Sequence, residues 1–312
     1  MKIVLTGASG MIGRPLVESL MAQRHELVVL GRNKPPIDVD RFYRWDSEKD
    51  TVPVEAVEGS GAVIHLAGEP VSQRWNDDVK RKIRDSRVNG TRAIVRAIAQ
   101  AVQKPAVLVS GSAIGYYGDR GNETLDEESG PGSGFLPSVT VEWEREALEA
   151  ERHGVRTCLL RTGIVLHHSG GALKSMIPPF RMFAGGPIGD GKQWMSWIHR
   201  DDLVEMILWA MHNADVRGPV NGVAPEPCTG KVFAKALGEA LSRPSALPVP
   251  EFALRLLFGE MSQIMLASQR ILPKVPLEHG FAFRYPEVTG AMRAAAVRTT
   301  VAVCRFVLGS AD

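Results

Sequence analysis

The chain has 312 residues, of which 44% are hydrophobic and 23% charged, the composition of an ordinary soluble globular protein rather than a disordered or fibrous one. Lys plus Arg number 37 against 35 for Asp plus Glu, a balance that argues against a dedicated nucleic-acid binder. Cys158, Cys228 and Cys304 are scattered and odd in number, so neither a disulfide framework nor a metal site is expected, which fits a reducing compartment.

In chain order, residues 2–5 form a short apolar run ending at Thr6-Gly7, and Ile12, Leu16 and Leu20 follow at helical spacing. A second strand is predicted over 26–30, a weaker edge strand near Phe42 to Trp45, and a third clear strand over 62–68. Ile94, Ala97, Ile98 and Ala101 mark the buried stripe of a helix. Residues 106–110 and 156–160 read as further buried strands. Strands that are apolar throughout and separated by helices predict an α/β fold, a Rossmann-type doubly wound parallel sheet covered on both faces.

The acidic, glycine-rich stretch 119–134 reads as a solvated loop. Past residue 235 prolines punctuate the chain at 244, 248 and 250 and helical sequence dominates 261–271. A cofactor domain over 1–235 and a small, mainly helical C-terminal subdomain over 236–312 are therefore expected. No apolar run reaches the roughly 18 residues of a membrane span. A strand starting at residue 2 argues against a signal peptide. A cytoplasmic protein with no membrane partner is the expectation, and oligomeric state is undecided.

Thr6-Gly7-Ala8-Ser9-Gly10-Met11-Ile12-Gly13 stands between the first strand and the first helix. Glycines there permit a tight turn, close approach to a pyrophosphate and close helix–strand packing, while the helix start offers free amides to phosphate. Dinucleotide binding follows. The second strand ends in Gly31-Arg32 with no acid until Asp38. An acid there would take the ribose 2′-hydroxyl of NAD, whereas an arginine suits the 2′-phosphate, so NADP(H) is the expected cofactor.

These segments resemble the extended short-chain dehydrogenase/reductases, the sugar-nucleotide epimerase and dehydratase group. Further matches are residues 65–68, 86–91, 110–113, 160–165 and 197–203. Residues 66–70, 74–76, 185–189 and 221–225, with Gly259-Glu260, Ser268-Gln269-Arg270, Pro273 and Gly280-Phe281, narrow the resemblance. They look like an atypical epimerase-family subgroup ending in a conserved domain of unknown function. The resemblance covers residues 1 to about 297, and residues 298–312 match nothing and read as an unstructured or divergent tail.

The resemblance implies cofactor contacts from Gly7, Ser9, Gly10, Met11, Ile12, Gly13, Gly31 and Arg32, with Asp46 beside the adenine. It also implies that Leu66, Ala67, Arg87 and Val165 line the path from ribose to nicotinamide. Arg87 has a competing reading as one more cation of the solvated run 80–87. Reductases of the superfamily place a Tyr-x-x-x-Lys pair on the helix after the catalytic serine, which here is Ser112. One helical turn aligns the two side chains, and the lysine charge favours the phenolate.

That pair is missing. The four tyrosines are Tyr43, Tyr116, Tyr117 and Tyr285, and four positions beyond them stand Ser47, Arg120, Gly121 and Thr289. Where the helix should carry the pair, the sequence offers Phe135, Leu136 and Thr140. Three readings stay open. Tyr116 or Tyr117 supplies the proton while Ser112 polarises the substrate and Arg120 replaces the lysine charge. Alternatively, His199, water or the substrate supplies it. In the third, the protein is a catalytically silent NADPH-binding regulator. Gln193, Trp194 and Trp197 are the expected substrate wall, a flat apolar surface with few polar groups. The leading expectation is an NADP(H)-dependent oxidoreductase or epimerase-like enzyme for an unknown small carbonyl or hydroxyl substrate.

Overall fold

Ile3 and Leu5 face one core and Val4 the other, and all three are wholly buried. A strand with two apolar faces requires cover on both sides. In the computed structural model, which describes residues 1–48 and 51–296, seven such strands form one sheet. They are β1 (Lys2–Thr6), β2 (Glu26–Gly31), β3 (Arg41–Arg44), β4 (Ala62–His65), β5 (Val107–Ala113), β6 (Arg156–Thr162) and β7 (Gly218–Gly222). Their order is β3-β2-β1-β4-β5-β6-β7, with every pairing parallel. The order reverses beside β1, the place where open α/β sheets bind ligands at strand C-termini.

Helices α1 (Gly13–Ala22), α2 (Asp77–Gln100) and α3 (Phe135–Leu148) connect these strands. Leu16, Val17 and Leu20 of α1 pack on the Ile3 face, whereas Ile94, Val95 and Ile98 of α2 pack on the Val4 face. Asn76 caps α2 by accepting the Val79 amide at 2.8 Å, with Asp77 and Asp78 in the first turn where the helix dipole favours anions. Helices α4 (Gly171–Arg181), α5 (Arg200–His212) and α6 (Gly230–Leu241) follow, then α7 (Glu251–Phe258) and α8 (Val288–Ala296).

The expected domain boundary at residue 235 falls inside α6. Phe233, Ala236 and Leu237 of that helix share one core with Ala291, Met292 and Ala295 of α8 and with Leu166 and Leu173. Packing is therefore continuous across the boundary.

Two further differences share one cause. The loop 119–134 contains an extended pair, Thr124–Leu125, and the stretch expected to be helical ends in another, Arg270–Ile271. The two pair in parallel, so long-range backbone pairing overrides local preference at both sites. The expected tail, 298–312, with Cys304, lies outside the described residues. Among the described residues no helix is long and apolar enough to cross a membrane.

Candidate functional site

At Gly7 the backbone has φ +78°, and a Cβ would stand 2.9 Å from the Leu66 carbonyl carbon. At Gly13 a Cβ would lie 2.1 Å from the Gly7 oxygen. Only glycine lets the turn close against both β4 and α1. The start of α1 has no side-chain cap, which leaves amide donors for an anion.

Above this turn lies a cleft of about 260 Å³. Gly7, Ser9, Gly10, Gly31, Arg32, Asp46, Leu66 and Ala67 line it. Trp45, Glu69 and Ser86 line it as well. Arg32 is exposed at its rim. The cradle and the uncapped helix start fit a dinucleotide.

Met11, Ile12, Gly13, Arg87 and Val165 stand behind or beside this cleft. Met11 lies against Gly170 and Gly171, and Val165 lies in the short strand Ile164–Leu166. Arg87 departs from the solvated run. Its Nη1 donates to the carbonyls of Glu69 and Ile83 at 2.9 and 3.0 Å, and its guanidinium lies over Trp143. Burial lowers its pKa to about 10. It supports the Gly68–Glu69 backbone from below.

The sequence reading missed a fixture at the floor of the cleft. The Thr6 hydroxyl oxygen accepts the amides of Leu66 and Ala67, each at 3.0 Å, and sits 2.8 Å from His65 Nδ1. With both amides donating to it, the hydroxyl spends its own proton on Nδ1. His65 is therefore the neutral Nε2–H tautomer, donating to Thr91 Oγ1 at 3.1 Å. Burial pushes its pKa down to about 4. The register pairs Thr6 with His65, a neighbourhood that sequence spacing does not show.

A buried polar network is built across three strands. Register sets Ser112 beside Arg161 and Arg161 beside Asn221, at the C-terminal ends of β5, β6 and β7. Ser112, only 5% exposed, donates to Glu144 Oε1 of α3 at 2.6 Å. Arg161 holds both oxygens of Glu144 through Nε and Nη2 at 2.8 and 2.9 Å, and its Nη1 donates to the Tyr117 oxygen at 2.9 Å. The Tyr117 hydroxyl lies 2.7 Å from Asn221 Oδ1 and 2.9 Å from the Asp126 carbonyl.

This network corrects three expectations. Tyr117 is fully buried, its one proton is shared between two acceptors, and burial pushes its pKa up to about 12. It is a structural phenol rather than a proton donor. Arg120 gives Nε and Nη2 to Glu123 at 2.8 and 2.6 Å and Nη1 to the Gly130 carbonyl, and it makes no bond or ring contact with either tyrosine among the described residues. The cation beside the tyrosines is Arg161, whose guanidinium carbon lies 3.5 Å from the centre of the Tyr116 ring. His199 caps α5 through Nδ1, which accepts the Asp201 amide, and stacks on Tyr285.

Tyr116 differs from Tyr117. It is half-buried, and its hydroxyl makes no hydrogen bond among the described residues. The helix face opposite its turn carries the residues found in place of the missing pair. A Cβ on Gly115 would lie 3.4 Å from Leu136 Cβ and 3.9 Å from Thr140 Oγ1. Thr140 turns its hydroxyl back onto the Leu136 carbonyl at 2.8 Å.

Of the expected substrate wall, Trp197 is wholly buried in the core and offers no surface to a ligand. Gln193 is clasped by Gly230, where a Cβ would lie 2.9 Å from its amide carbon, and donates to the Ile188 carbonyl. Trp194 stays half-buried, its Nε1 donating to Asn122 Oδ1 at 3.2 Å. The C-terminal segment binds this wall to the turn after Ser112. The Gln269 side chain donates to the carbonyls of Ile114 and Gly118, each at 2.9 Å, and the Ser268 hydroxyl donates to the Gly121 carbonyl at 2.6 Å.

Comparison with known proteins agrees with this geometry. The NAD dependent epimerase/dehydratase family matches residues 3–221, and a domain of unknown function, DUF1731, matches residues 249–295. The epimerase family protein SDR39U1 homolog, chloroplastic, of Arabidopsis thaliana is 44% identical over 308 residues, covering 94% of this chain and 86% of that protein. Epimerase family protein YfhF of Bacillus subtilis is 38% identical, with 94% and 97% covered.

The crystal structure of human epimerase family protein SDR39U1 with NADPH matches at a TM-score of 0.85 and 31% identity, over 95% of this chain and 99% of that one. A UDP-glucose 4-epimerase from Thermus thermophilus in complex with NAD, TM-score 0.75 and 19% identical, shares the fold. The fold is thus an NAD(P)-binding one, and the chain belongs to the NAD dependent epimerase/dehydratase family, in the branch that ends in DUF1731.

Proposed function

We propose that this protein is an NADP(H)-dependent oxidoreductase or epimerase-like enzyme for a small carbonyl or hydroxyl compound, with Tyr116 as its proton donor and acceptor. The observation that carries the reading is the pairing of the unbonded Tyr116 hydroxyl with the Arg161 guanidinium 3.5 Å from its ring. A cation there takes over the electrostatic task of the missing lysine. Glu144 fixes that cation from the other side by a bidentate bond.

Arg32 would hold the 2′-phosphate, the glycine turn the pyrophosphate, and Leu66 and Ala67 the ribose side. The NADPH in the human relative favours the phosphorylated cofactor. When bound, the cofactor supplies or accepts a hydride. In reduction Tyr116 gives its proton to the oxygen that gains charge, and Arg161 holds the resulting phenolate. In oxidation Tyr116 takes the hydroxyl proton. The Ser112 hydroxyl takes no part in this proton transfer, because its own proton is donated to Glu144.

A second reading, a catalytically silent NADPH-binding regulator, is favoured by Leu136 and Thr140 on α3, which offer no acid or base. Single-turnover hydride transfer from bound NADPH across a panel of small carbonyl compounds separates the two. Transfer that disappears in Tyr116→Phe while NADPH affinity is kept supports the enzyme. Tight NADPH binding with no transfer to any member supports the silent binder.

A further inference from the structure

Arg270 has no part in the hydride-transfer machinery, yet it is held in place with care. Its backbone is fixed by pairing with Thr124, as Ile271 pairs with Leu125. Neighbouring side chains on an extended segment point to opposite sides. Gln269 thus reaches the turn that carries Tyr116, and Arg270 turns toward Trp194. Its guanidinium carbon lies 4.5 Å from the Trp194 ring centre.

The indole beneath it is equally fixed. The Trp194 amide donates to Ser268 Oγ at 3.0 Å, its carbonyl accepts the Gln269 amide at 2.9 Å, and its Nε1 bonds Asn122. The guanidinium itself makes no hydrogen bond or ion pair among the described residues, and its Nε is buried without a partner. Stacking occupies the face of a guanidinium and leaves its edge, with two parallel donors, for a planar anion. A half-buried cation gains most from such a partner because water screens it poorly.

We propose that Arg270, backed by Trp194, is a recognition subsite for one compact oxyanion, so that the substrate is a small carbonyl or hydroxyl compound bearing a carboxylate or a phosphate group. The proposal rests on the enzyme reading above, because it places this anion on the substrate. One guanidinium suits a single bidentate anion.

The test uses the full chain saturated with NADP⁺, so that the cofactor's own phosphate positions are filled. Calorimetry would compare pyruvate with its neutral methyl ester, and inorganic phosphate with acetate. Pyruvate should bind about tenfold or more tightly than the ester, the discrimination a charge-assisted bond gives. Phosphate outbinding acetate would assign a phosphate group, and the reverse a carboxylate.

Arg270→Gln should erase the preference for the acid. Arg270→Lys should lose most of it, because an ammonium neither stacks flat nor donates in parallel. Thermal melting of both variants checks folding, and either folded variant suffices. Equal binding of acid and ester to the unaltered protein overturns the proposal, as does an undiminished preference in a folded variant. Anion binding through Arg270 in a protein that, loaded with NADPH, transfers no hydride to any member of the carbonyl panel would sink the enzyme reading while leaving the subsite in place.

Discussion

Arg32 and Arg161 look alike in sequence, each a lone arginine at the end of a strand, but their surroundings give them opposite duties. Arg32 is exposed at the rim of the cleft beside the glycine turn, where its charge is open to a ligand. Arg32→Ala should weaken NADPH by about tenfold and leave NADH nearly unchanged, since one charge-assisted contact to the 2′-phosphate is lost; equilibrium fluorescence titration with both cofactors checks this. Arg161 is buried against Glu144. Removing one partner of a buried pair leaves the other charge uncompensated, so Glu144→Ala should cost about 3–5 kcal/mol of stability. The double variant Glu144→Met/Arg161→Met should recover much of that loss, as urea unfolding would show. The glycine turn and the place of Arg32 at the end of β2 were legible because both depend on local sequence. Arg161 was not, because its role comes from the register that places it beside Ser112 and Asn221.

The turn from Ile114 to Tyr117 is the element on which the proposed chemistry depends. It is a single 3₁₀ turn, too short to hold itself, and its carbonyls at Ile114 and Gly118 are bonded by Gln269 from the far end of the chain. Gln269→Ala should therefore raise hydrogen exchange at the amides of Gly118 and Arg120, the latter bonded to the Ser268 carbonyl, while exchange in β1 and β2 stays as before. Mass-spectrometric exchange on native protein checks it. From the sequence alone, 119–134 is a solvated loop and 261–271 a helix. Neither stretch signals the other, because two-residue strands carry no periodicity and owe their pairing to tertiary contact. Helix α3 was legible in position, and so was the absence of its Tyr-x-x-x-Lys pair. The Ser112–Glu144–Arg161 cluster beside Tyr116 was not legible, because it requires two strands, a helix and a turn to be assembled first.

At the scale of the molecule the parallel sheet was the most legible feature, since strands apolar on both faces admit few other architectures. The sheet also encloses a titration that the whole fold responds to. His65 and His199 have their pKa values lowered to about 4 by burial, from an ordinary value of 6.5. The native state thus prefers both rings neutral. This contribution is complete above pH 6.5, declines as the unfolded chain takes up protons on acidification, and is lost as the pH falls through about 4. For fully buried His65 it amounts to about 3 kcal/mol. The urea midpoint should fall between these limits, and His65→Gln should flatten that fall even if it lowers the midpoint at pH 7.

The distribution of the site along the chain has a consequence for its biosynthesis. Every residue lining the cofactor cleft lies between Gly7 and Ser86, whereas the turn bearing Tyr116 receives its last braces from Ser268 and Gln269. A ribosome delivers the first set long before the second. The cleft beside the glycine turn is complete in the nascent chain before the turn that bears Tyr116 can receive its braces. Forming that cleft and bracing that turn are thus separate stages in the birth of each molecule.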